Sequence, residues 1–275
     1  MDFFKVLSEE LDKSLDINIK IENNLKEKLL YFPSKIKSMQ VTTIDNMSLI
    51  DSKLSSNTFN AICDGTITKE LAQQVVDYYQ KINSPMAWWI GPNSQKNDTD
   101  EVLKSAGLVH DETDVGMFCD LSKIPDSYPM PKTLKIKICK TPQDFIDFGE
   151  AASTCFDSPD NINVKKFYKQ VGLLNKKDFS NSVSYIGYEN DQPIATAFLL
   201  LTDVAGIYDI TTHPEKRNKG YGSAMFYKVL AEAKERGYKV GVLEASPSGL
   251  NIYKRFGFEE ICKFNVWSNK GIIKK

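Results

Sequence analysis

The sequence predicts a mixed α/β (α+β) protein in which two similar halves follow one another, each with a mostly antiparallel sheet flanked by helices. Three observations predict this fold. The length of 275 residues suits two domains of about 100–200 residues each. Three prolines within 125–131 favour an extended linker. Similar successions of strands and helices stand on both sides of it. We therefore expect one domain at 1–124, a linker at 125–132 and a second domain at 133–275.

The composition indicates an ordinary folded protein. Hydrophobic residues make up 41% of the chain and charged residues 26%, which excludes disorder, collagen and coiled coil. The formal net charge of −1 gives no general attraction for nucleic acid or an anionic membrane. No apolar run approaches the ~20 residues of a membrane helix, and the acidic N-terminus is unlike a signal peptide. We expect a cytoplasmic location and neither a nucleic-acid nor a membrane partner.

The cysteines and histidines do not form the patterns typical of cross-links or metal sites. The five cysteines are odd in number and show no paired spacing. The two histidines are too few for a histidine-based metal centre. We expect neither a disulfide framework nor a bound metal.

The second half shows the clearer succession of elements. Apolar and charged residues alternate over 134–138, as in a half-buried strand. Thr141 followed by Pro142 is typical of a helix N-terminus, and Gly237 stops an amphipathic helix. The expected elements are strand 134–138, a helix from 141 to about 157, helix 162–174, strands 182–188 and 193–201, a third strand ending at 212, helix 221–236, strand 240–243, helix 249–256 and strand 258–267. The three central strands are expected to form an antiparallel meander.

The first half repeats the later part of this succession. The expected elements are strand 58–63, helix 68–82, strand 86–90, helix 98–106 and strand 108–121. The two halves also end alike, because Leu103 is followed by Gly107 and Leu108 at the spacing that separates Tyr253 from Gly257 and Phe258. Several elements in one order predict a duplicated domain.

The most informative stretch is the turn that joins the third meander strand to the helix beginning at Tyr221. Gly220 and Gly222 carry no side chains that would keep an anion from the unpaired amides of the first helical turn. Arg217 and Lys219 add positive charge beside the partial charge of the helix N-terminus. The turn is not a Walker loop, because no Gly-Lys-Ser/Thr follows, and it does not open a parallel βαβ unit. These features predict a pyrophosphate site.

The same residues carry a family resemblance. The stretch from Arg217 to Gly222 resembles the Arg/Gln-x-x-Gly-x-Gly/Ala signature of the GNAT acetyltransferase superfamily, and the stretch from Tyr253 to Phe258 resembles its Tyr-x-x-x-Gly-Phe motif. The resemblance covers about 133–268 and implies the GNAT fold with acetyl-CoA as cosubstrate. The cofactor-binding residues that it implies are Ile210, Thr211, Thr212, Arg217, Asn218, Lys219, Gly220, Tyr221, Gly222 and Ser223. The stretch 246–249 replaces the asparagine-led loop of many relatives, and Ser246 or Ser248 is expected to supply the side-chain contact to the pantetheine.

The first half resembles a GNAT module that has lost its cofactor motif. Its helix is preceded by 63–69, where no Arg-x-x-Gly-x-Gly occurs and Asp64 stands where the phosphate would lie. Leu103 stands where Tyr253 stands in the second half. The resemblance therefore implies the tandem two-domain bacterial type with a degenerate N-terminal domain. That domain is expected to be structural or to shape the acceptor cleft.

Acetyl transfer to an amine requires removal of the amine proton and a proton for the departing thiolate. Tyr253 is the expected acid, because a phenol stays protonated at neutral pH, although the same ring could serve only in packing. Glu244 is the candidate base at the end of a short strand, with a solvated edge carboxylate as the other interpretation. We expect Asp209 to face away from Tyr208, because neighbours in a strand alternate between faces.

Two further features have functional and structural interpretations. His213 before Pro214 could be a base, but its position favours a capping role. In the pair Trp88-Trp89 one ring is expected to lie in the core and the other to line the surface between the halves.

The leading hypothesis is an acetyl-CoA-dependent N-acetyltransferase that moves an acetyl group directly to a primary amine in a ternary complex. The acceptor is expected to be a small-molecule or peptide amine, and the protein a monomer or homodimer. The alternative is a CoA-responsive binding or regulatory protein without transferase activity. A third possibility is aminoacyl or longer-chain acyl transfer on the same fold.

Overall fold

The computed structural model of the chain describes residues 3–63, 65–247 and 249–273, with side chains from residue 16 onward. Its helices are α1 Phe3–Tyr31, α2 Lys69–Lys81, α3 Thr99–Ser105, α4 Pro142–Ser153, α5 Asp160–Val171, α6 Tyr221–Glu235 and α7 Leu250–Lys254. Its strands are β1 Gln40–Ile44, β2 Met47–Asp51, β3 Ala61–Cys63, β4 Ala87–Ile90, β5 Val109–Asp120, β6 Lys135–Ile138, β7 Ser182–Glu189, β8 Gln192–Leu201, β9 Ala205–Thr212, β10 Val240–Ala245 and β11 Glu259–Ser268.

All eleven strands form one sheet in the order β1-β2-β3-β4-β11-β5-β10-β9-β8-β7-β6. The pairs β3/β4 and β9/β10 are parallel, and the other described pairs are antiparallel. The predicted mixed, mostly antiparallel sheet flanked by helices is confirmed. The succession β3-α2-β4-α3-β5 in the first half matches β9-α6-β10-α7-β11 in the second, as the internal repeat predicts.

The final strands of the two halves are exchanged within this sheet. The last strand of the second half, β11, lies between β4 and β5 of the first half. Conversely, β5 lies between β11 and β10, so it pairs with the short buried strand of the second half. The division at 125–132 follows the sequence repeat, whereas the sheet crosses it. Each half therefore depends on a strand from the other.

Local signals explain the boundaries of several elements. Thr141 accepts a hydrogen bond from the amide of Asp144, and the Asp144 carboxylate accepts from the amide of Thr141, which together form a capping box at the start of α4. Thr68 caps α2 by accepting a single hydrogen bond from the amide of Leu71. Gly237 follows α6 with φ +85, a conformation that favours glycine. These helix boundaries are thus predictable from neighbouring residues.

The helix α1 and strands β1 and β2 were not predicted from the sequence. On α1 the buried residues Ile21, Leu25 and Leu29 recur every four positions, which places them on one helix face. That face packs against β3, β9, β10 and β11 where the two halves meet. None of the described helices is both long enough and apolar enough to cross a membrane.

Two hydrophobic clusters cover opposite faces of the second half of the sheet. Phe198 on β8 belongs to the cluster with α1, α4 and α5. Its neighbour Leu199 belongs to the cluster with α6, as the alternation of a strand requires. The linker packs along α6, because Tyr227 donates a hydrogen bond to the Pro125 carbonyl and Lys234 donates to that of Ile124.

Candidate active site

The parallel strands β9 and β10 separate shortly after they meet. Their ladder contains only the pairs Gly241–Ala205 and Val242–Gly206. Further along, β10 continues its pairing with β5 on its other edge, where Glu244 lies opposite Gly116, but no longer pairs with β9. The ends of β9 and β10 therefore leave an opening in the sheet, in the place where the resemblance implies a pantetheine arm.

A bulge in β9 turns Asp209 toward this opening. Its backbone has φ +51, which is uncommon for a residue with a side chain. The register between β8 and β9 shifts at this point, and the Thr196 hydroxyl donates a hydrogen bond to the Asp209 carbonyl at 2.7 Å. Tyr208 and Asp209 consequently line one cavity. The expectation that they face opposite sides was wrong, because a bulge interrupts the alternation of a strand.

The start of α6 has the properties expected of a pyrophosphate site. Gly220 has φ +81, and among the described residues no side chain caps the helix there. A Cβ atom built on Gly220 would approach only Pro131, at 3.6 Å, so the space in front of the amides is open. A Cβ on Gly222 would lie 3.0 Å from the Thr212 hydroxyl, which shows how closely the helix start approaches the end of β9. Open amides at a helix N-terminus fit a phosphate group.

The predicted cofactor-binding residues that the structure describes lie on the segments around this opening. Most of them lie in the last three residues of β9, in the connection that follows it, or in the first turn of α6: Ile210, Thr211, Thr212, Arg217, Asn218, Lys219, Gly220, Tyr221, Gly222 and Ser223. Ser246 is exposed directly after β10. Ser248 lies outside the described residues.

Three side chains in this set have their own contacts. The Arg217 Nε atom donates to the Thr212 carbonyl at 3.3 Å, so its guanidinium lies beside the end of β9. The Thr211 hydroxyl contacts that of Thr196 at 2.6 Å and faces α4 and α5. Tyr221 is buried, and its hydroxyl binds Glu189. Its predicted contribution to cofactor binding is consequently limited to its backbone.

His213 caps the short 3₁₀ helix Pro214–Lys216. Its Nδ1 atom accepts a hydrogen bond from the amide of Glu215 at 3.3 Å. The capping interpretation is therefore confirmed.

A cavity of about 160 Å³ lies at the opening between β9 and β10, and we call it the catalytic cavity. Both halves of the chain line it. Its lining residues are Leu25, Lys28 and Leu29 of α1, Trp89 of β4, Asp114 of β5, Ile207, Tyr208, Asp209 and Ile210 of β9, Glu244 of β10 and Tyr253 of α7. Three carboxylates and two phenols thus meet one lysine in a small space. Both predicted catalytic residues, Tyr253 and Glu244, lie in it.

Glu244 and Asp114 are acids held in surroundings that disfavour their charged forms. Burial, together with the charge of Asp114, raises the pKa of Glu244 to about 8, although Lys28 acts in the opposite direction. Burial and the charge of Glu112 raise the pKa of Asp114 to about 6. Glu244 Oε1 and Asp114 Oδ1 are sealed from solvent and have no hydrogen-bond partner in the described part of the chain. Such carboxylates are available to an incoming polar group.

Tyr253 is held by aromatic packing. Its ring centroid lies 4.9 Å from that of Phe226 and 6.4 Å from that of Phe258. Burial, with a smaller contribution from the charge of Asp114, raises the pKa of the Tyr253 phenol to about 12. The phenol therefore carries its proton throughout the neutral pH range.

The α1 helix positions the side chains on β9. The Tyr208 hydroxyl donates a hydrogen bond to Asn24 Oδ1 at 2.6 Å, and Asn24 Nδ2 donates to the Thr202 hydroxyl at 2.7 Å. The Lys28 Nζ atom lies 3.6 Å from Asp209 Oδ1 and 5.5 Å from the centre of the Tyr208 ring. The contributions of Asn24, Lys28 and Asp114 were missed, because no motif marks them in the sequence.

The tryptophan pair has the predicted arrangement. Trp88 is fully buried in the core of the first half, whereas Trp89 lines the catalytic cavity. The alternation of β4 alone was sufficient to predict this.

The described residues at the corresponding place in the first half, before and at the start of α2, leave no open phosphate site. The Thr68 side chain occupies the amide of Leu71 at the start of α2. A Cβ on Gly65 would lie 2.0 Å from the Met47 side chain, so this turn is crowded. Leu103 is fully buried. Asp64, which the sequence placed at the phosphate position, lies outside the described residues. Among the residues that are described, no group of histidine, cysteine and acidic side chains is placed to hold a metal ion.

Comparison with known proteins gives a family for this arrangement. Residues 201–261, which include β9, the glycine turn, α6 and β10, match the family described as "Acetyltransferase (GNAT) domain". This part of the chain is therefore similar to a GNAT acetyltransferase domain. This match and the fold support acetyltransferase activity in general, and the family uses acetyl-CoA.

Solved structures show the same fold over most of the chain. A GCN5-related N-acetyltransferase from Kribbella flavida has a TM-score of 0.65 at 10% identity, covering 92% of this chain and 95% of that one. A tandem GNAT protein from the clavulanic acid biosynthesis pathway has a TM-score of 0.57 at 8% identity, covering 84% and 83%. A GCN5-related N-acetyltransferase from Sphaerobacter thermophilus has 0.56 at 12%, covering 81% and 79%. The fold of the chain is thus similar to that of these known structures.

Proposed function

We propose that the protein is an acetyl-CoA-dependent N-acetyltransferase that acetylates a primary amine by direct transfer in a ternary complex. The observation that carries the proposal is the continuity between two sites. An open, glycine-led helix start stands at the end of β9, and the separation of β9 from β10 leads from it to a cavity with unpaired acids and a protonated phenol. A cosubstrate with a pyrophosphate at one end and a thioester at the other suits this path.

The cosubstrate would be held mainly by backbone groups. The amides at the start of α6 suit the pyrophosphate, with Lys219 close enough to add charge. The edge of β9 that faces the opening suits the amides of the pantetheine arm. Acetyl-CoA supplies the activated acetyl group, and the residues of the chain supply orientation and proton transfer.

The two carboxylates Glu244 and Asp114 would accept the proton of the acceptor amine. With pKa values of about 8 and about 6, the pair carries about one proton between them near neutral pH. An ionised member of such a pair can remove a proton from an ammonium or from a water that bridges to it. The amine nitrogen then forms a bond to the acetyl carbon while the carbon–sulfur bond breaks.

Tyr253 would donate its proton to the departing sulfur. Its raised pKa keeps the phenol protonated until the thiolate forms. The first half also participates in this scheme, because β5 brings Asp114 and β4 brings Trp89 into the cavity. We propose that the first half completes the active site in addition to its structural role.

The alternative is a CoA-responsive binding protein that transfers nothing. The acids and the phenol in the cavity favour the enzyme, since a binding protein has no need of buried carboxylate oxygens without hydrogen-bond partners. Titration calorimetry with acetyl-CoA, followed by measurement of thiol release with a panel of primary amines, distinguishes the two. Binding together with amine-dependent thiol release supports the enzyme. Binding without release from any amine supports the alternative, and absence of binding refutes both.

A further inference from the structure

A second cavity, of about 130 Å³, adjoins the catalytic cavity, and we call it the apolar cavity. It lies between α1, α4, α5, β9 and the segment before β3. Its walls are mostly phenylalanine rings and aliphatic side chains, among them Phe32, Phe59, Phe156, Val164, Phe167 and Phe198. The rings of Phe59 and Phe167 are stacked with centroids 4.2 Å apart. The family resemblance assigns no role to this space.

The apolar cavity shares one wall with the catalytic cavity. Lys28, Leu29 and Asp209 line both of them. A molecule whose apolar part fills the first cavity therefore passes Asp209 before its other end reaches Glu244. The site has the two-part form of a substrate pocket, with an apolar body and a few polar groups that fix orientation.

The polar groups at the shared wall suit an amine. Asp209 Oδ2 accepts a hydrogen bond from the buried Tyr168 hydroxyl at 2.7 Å, which fixes the carboxylate at the boundary. Asp114 and Glu244 stand beyond it. An ammonium group that enters meets three carboxylates and the single cation Lys28, so the local charge favours one positive group.

The apolar cavity also limits what can be attached to that amine. A polyamine would have to place a second ammonium among phenylalanine rings, and a peptide would have to place unpaired backbone amides there. Both are costly, because buried charges and polar groups need partners. A phenyl group meets no such cost, and a cavity of about 150 Å³ is known to hold one benzene molecule.

We propose that the acceptor is a primary monoamine that carries one compact apolar group of about the size of a phenyl ring, bound in the apolar cavity. This inference rests on the proposed function, whose acceptor it specifies. Phe59 links the inference to the first half of the chain, which thereby forms part of the acceptor pocket.

The test compares amines with the full-length protein. Burying a phenyl group favours 2-phenylethylamine over ethylamine by about 10- to 100-fold in kcat/KM. Putrescine, with its second charge, should react no better than ethylamine. If the protein binds acetyl-CoA but acetylates putrescine or a peptide N-terminus in preference to 2-phenylethylamine, the inference is overturned and the proposed function remains intact.

Two variants locate the binding. Ala152→Leu adds bulk from α4 into the apolar cavity and should weaken 2-phenylethylamine binding at least tenfold, while affinity for acetyl-CoA stays unchanged. Phe59→Ala enlarges the same space and should shift the preference toward 2-(1-naphthyl)ethylamine. If Ala152→Leu fails to fold, the Phe59 variant decides alone, and an unchanged preference overturns the inference.

A binding measurement separates the inference from catalysis. Calorimetry with the CoA-saturated protein measures the affinity of 2-phenylethylamine for the acceptor site without turnover. If CoA does not bind, the same titration is carried out without CoA. Binding that Ala152→Leu abolishes supports the inference even if no acetyl transfer is found. Absence of 2-phenylethylamine binding in both titrations overturns it.

Discussion

Glu244 on β10 and Asp114 on β5 line one cavity, although they come from different halves of the chain. The antiparallel register places Glu244 opposite Gly116, and Asp114 is two residues away on the same face of β5. This relationship exists only because the final strands of the two halves are exchanged. Catalysis by the second half should therefore depend on residues of the first.

The first prediction concerns the phenol of Tyr253. Tyr253→Phe keeps the ring against Phe226 and removes only the donor. Since general acid catalysis contributes typically about 10²–10⁴-fold, kcat should fall by that order while affinity for acetyl-CoA stays the same. Tyr253→Ala should in addition lower the melting temperature. Steady-state kinetics and thermal unfolding of both variants check this. Normal turnover by the phenylalanine variant would show that Tyr253 serves only in packing.

The second prediction concerns the start of α6. Gly220→Glu places a carboxylate in front of the open amides and should weaken acetyl-CoA binding by about two orders of magnitude, because like charges repel there. Gly237→Glu is a matched control at the other end of the same helix, where φ is also positive, +85 against +81. Both substitutions carry similar backbone strain. Equal acetyl-CoA affinity in the two variants would contradict the cofactor site.

The third prediction concerns stoichiometry. Thr68 caps α2 and Met47 crowds Gly65, so the start of α2, which corresponds to that of α6, is not open to a phosphate group. Titration calorimetry should therefore find one acetyl-CoA for each chain, and Gly220→Glu should remove it. Two equivalent binding events would mean that the first half retains a functional cofactor site.

The fourth prediction concerns pH dependence. With Glu244 as the base, kcat/KM should rise as pH increases toward about 8, because the carboxyl must lose its proton. Asp114→Asn removes a neighbouring negative charge that raises the pKa of Glu244, so this rise should move to lower pH. Glu112→Gln, an exposed acid on the same strand, is the control and should leave the position of the rise nearly unchanged. An unshifted profile in the Asp114 variant would contradict the coupling.

The fifth prediction concerns stability. The pKa of Glu244 is raised on folding, so the folded state binds more protons than the unfolded state between the ordinary value of 4.5 and about 8. The wild-type free energy of unfolding should therefore fall as pH rises through this interval, by an amount on the order of a few kcal/mol. Glu244→Gln should flatten that fall. Denaturant unfolding of the wild type, Glu244→Gln and the exposed control Glu259→Gln at pH 5 and pH 9 measures the fall in the free energy of unfolding. An equal fall in all three proteins would refute the burial of a neutral Glu244.

Most secondary structure of the second half could be predicted, because its signals are local. The capping box at Thr141, the glycine stop at Gly237 and the alternation in 134–138 each involve residues close together in the chain. The helix α1 carries a local signal in the spacing of Ile21, Leu25 and Leu29, although many charged residues surround it in the sequence. What this face packs against could not be predicted, since its partners come from four separated strands.

The residues of the candidate site likewise differ in whether nearby or distant parts of the chain place them. The sequence by itself was sufficient to predict the glycine turn before α6 and to single out Tyr253, because an open helix start and a tyrosine four residues before a glycine are built from contiguous residues. Only the tertiary structure decided that Asp209 turns into the site at a bulge, and that Asp114 and Trp89 enter it from the other half. Bulges and strand exchange depend on pairing between distant segments, and the free energy of that pairing belongs to the complete sheet rather than to any one stretch of the chain.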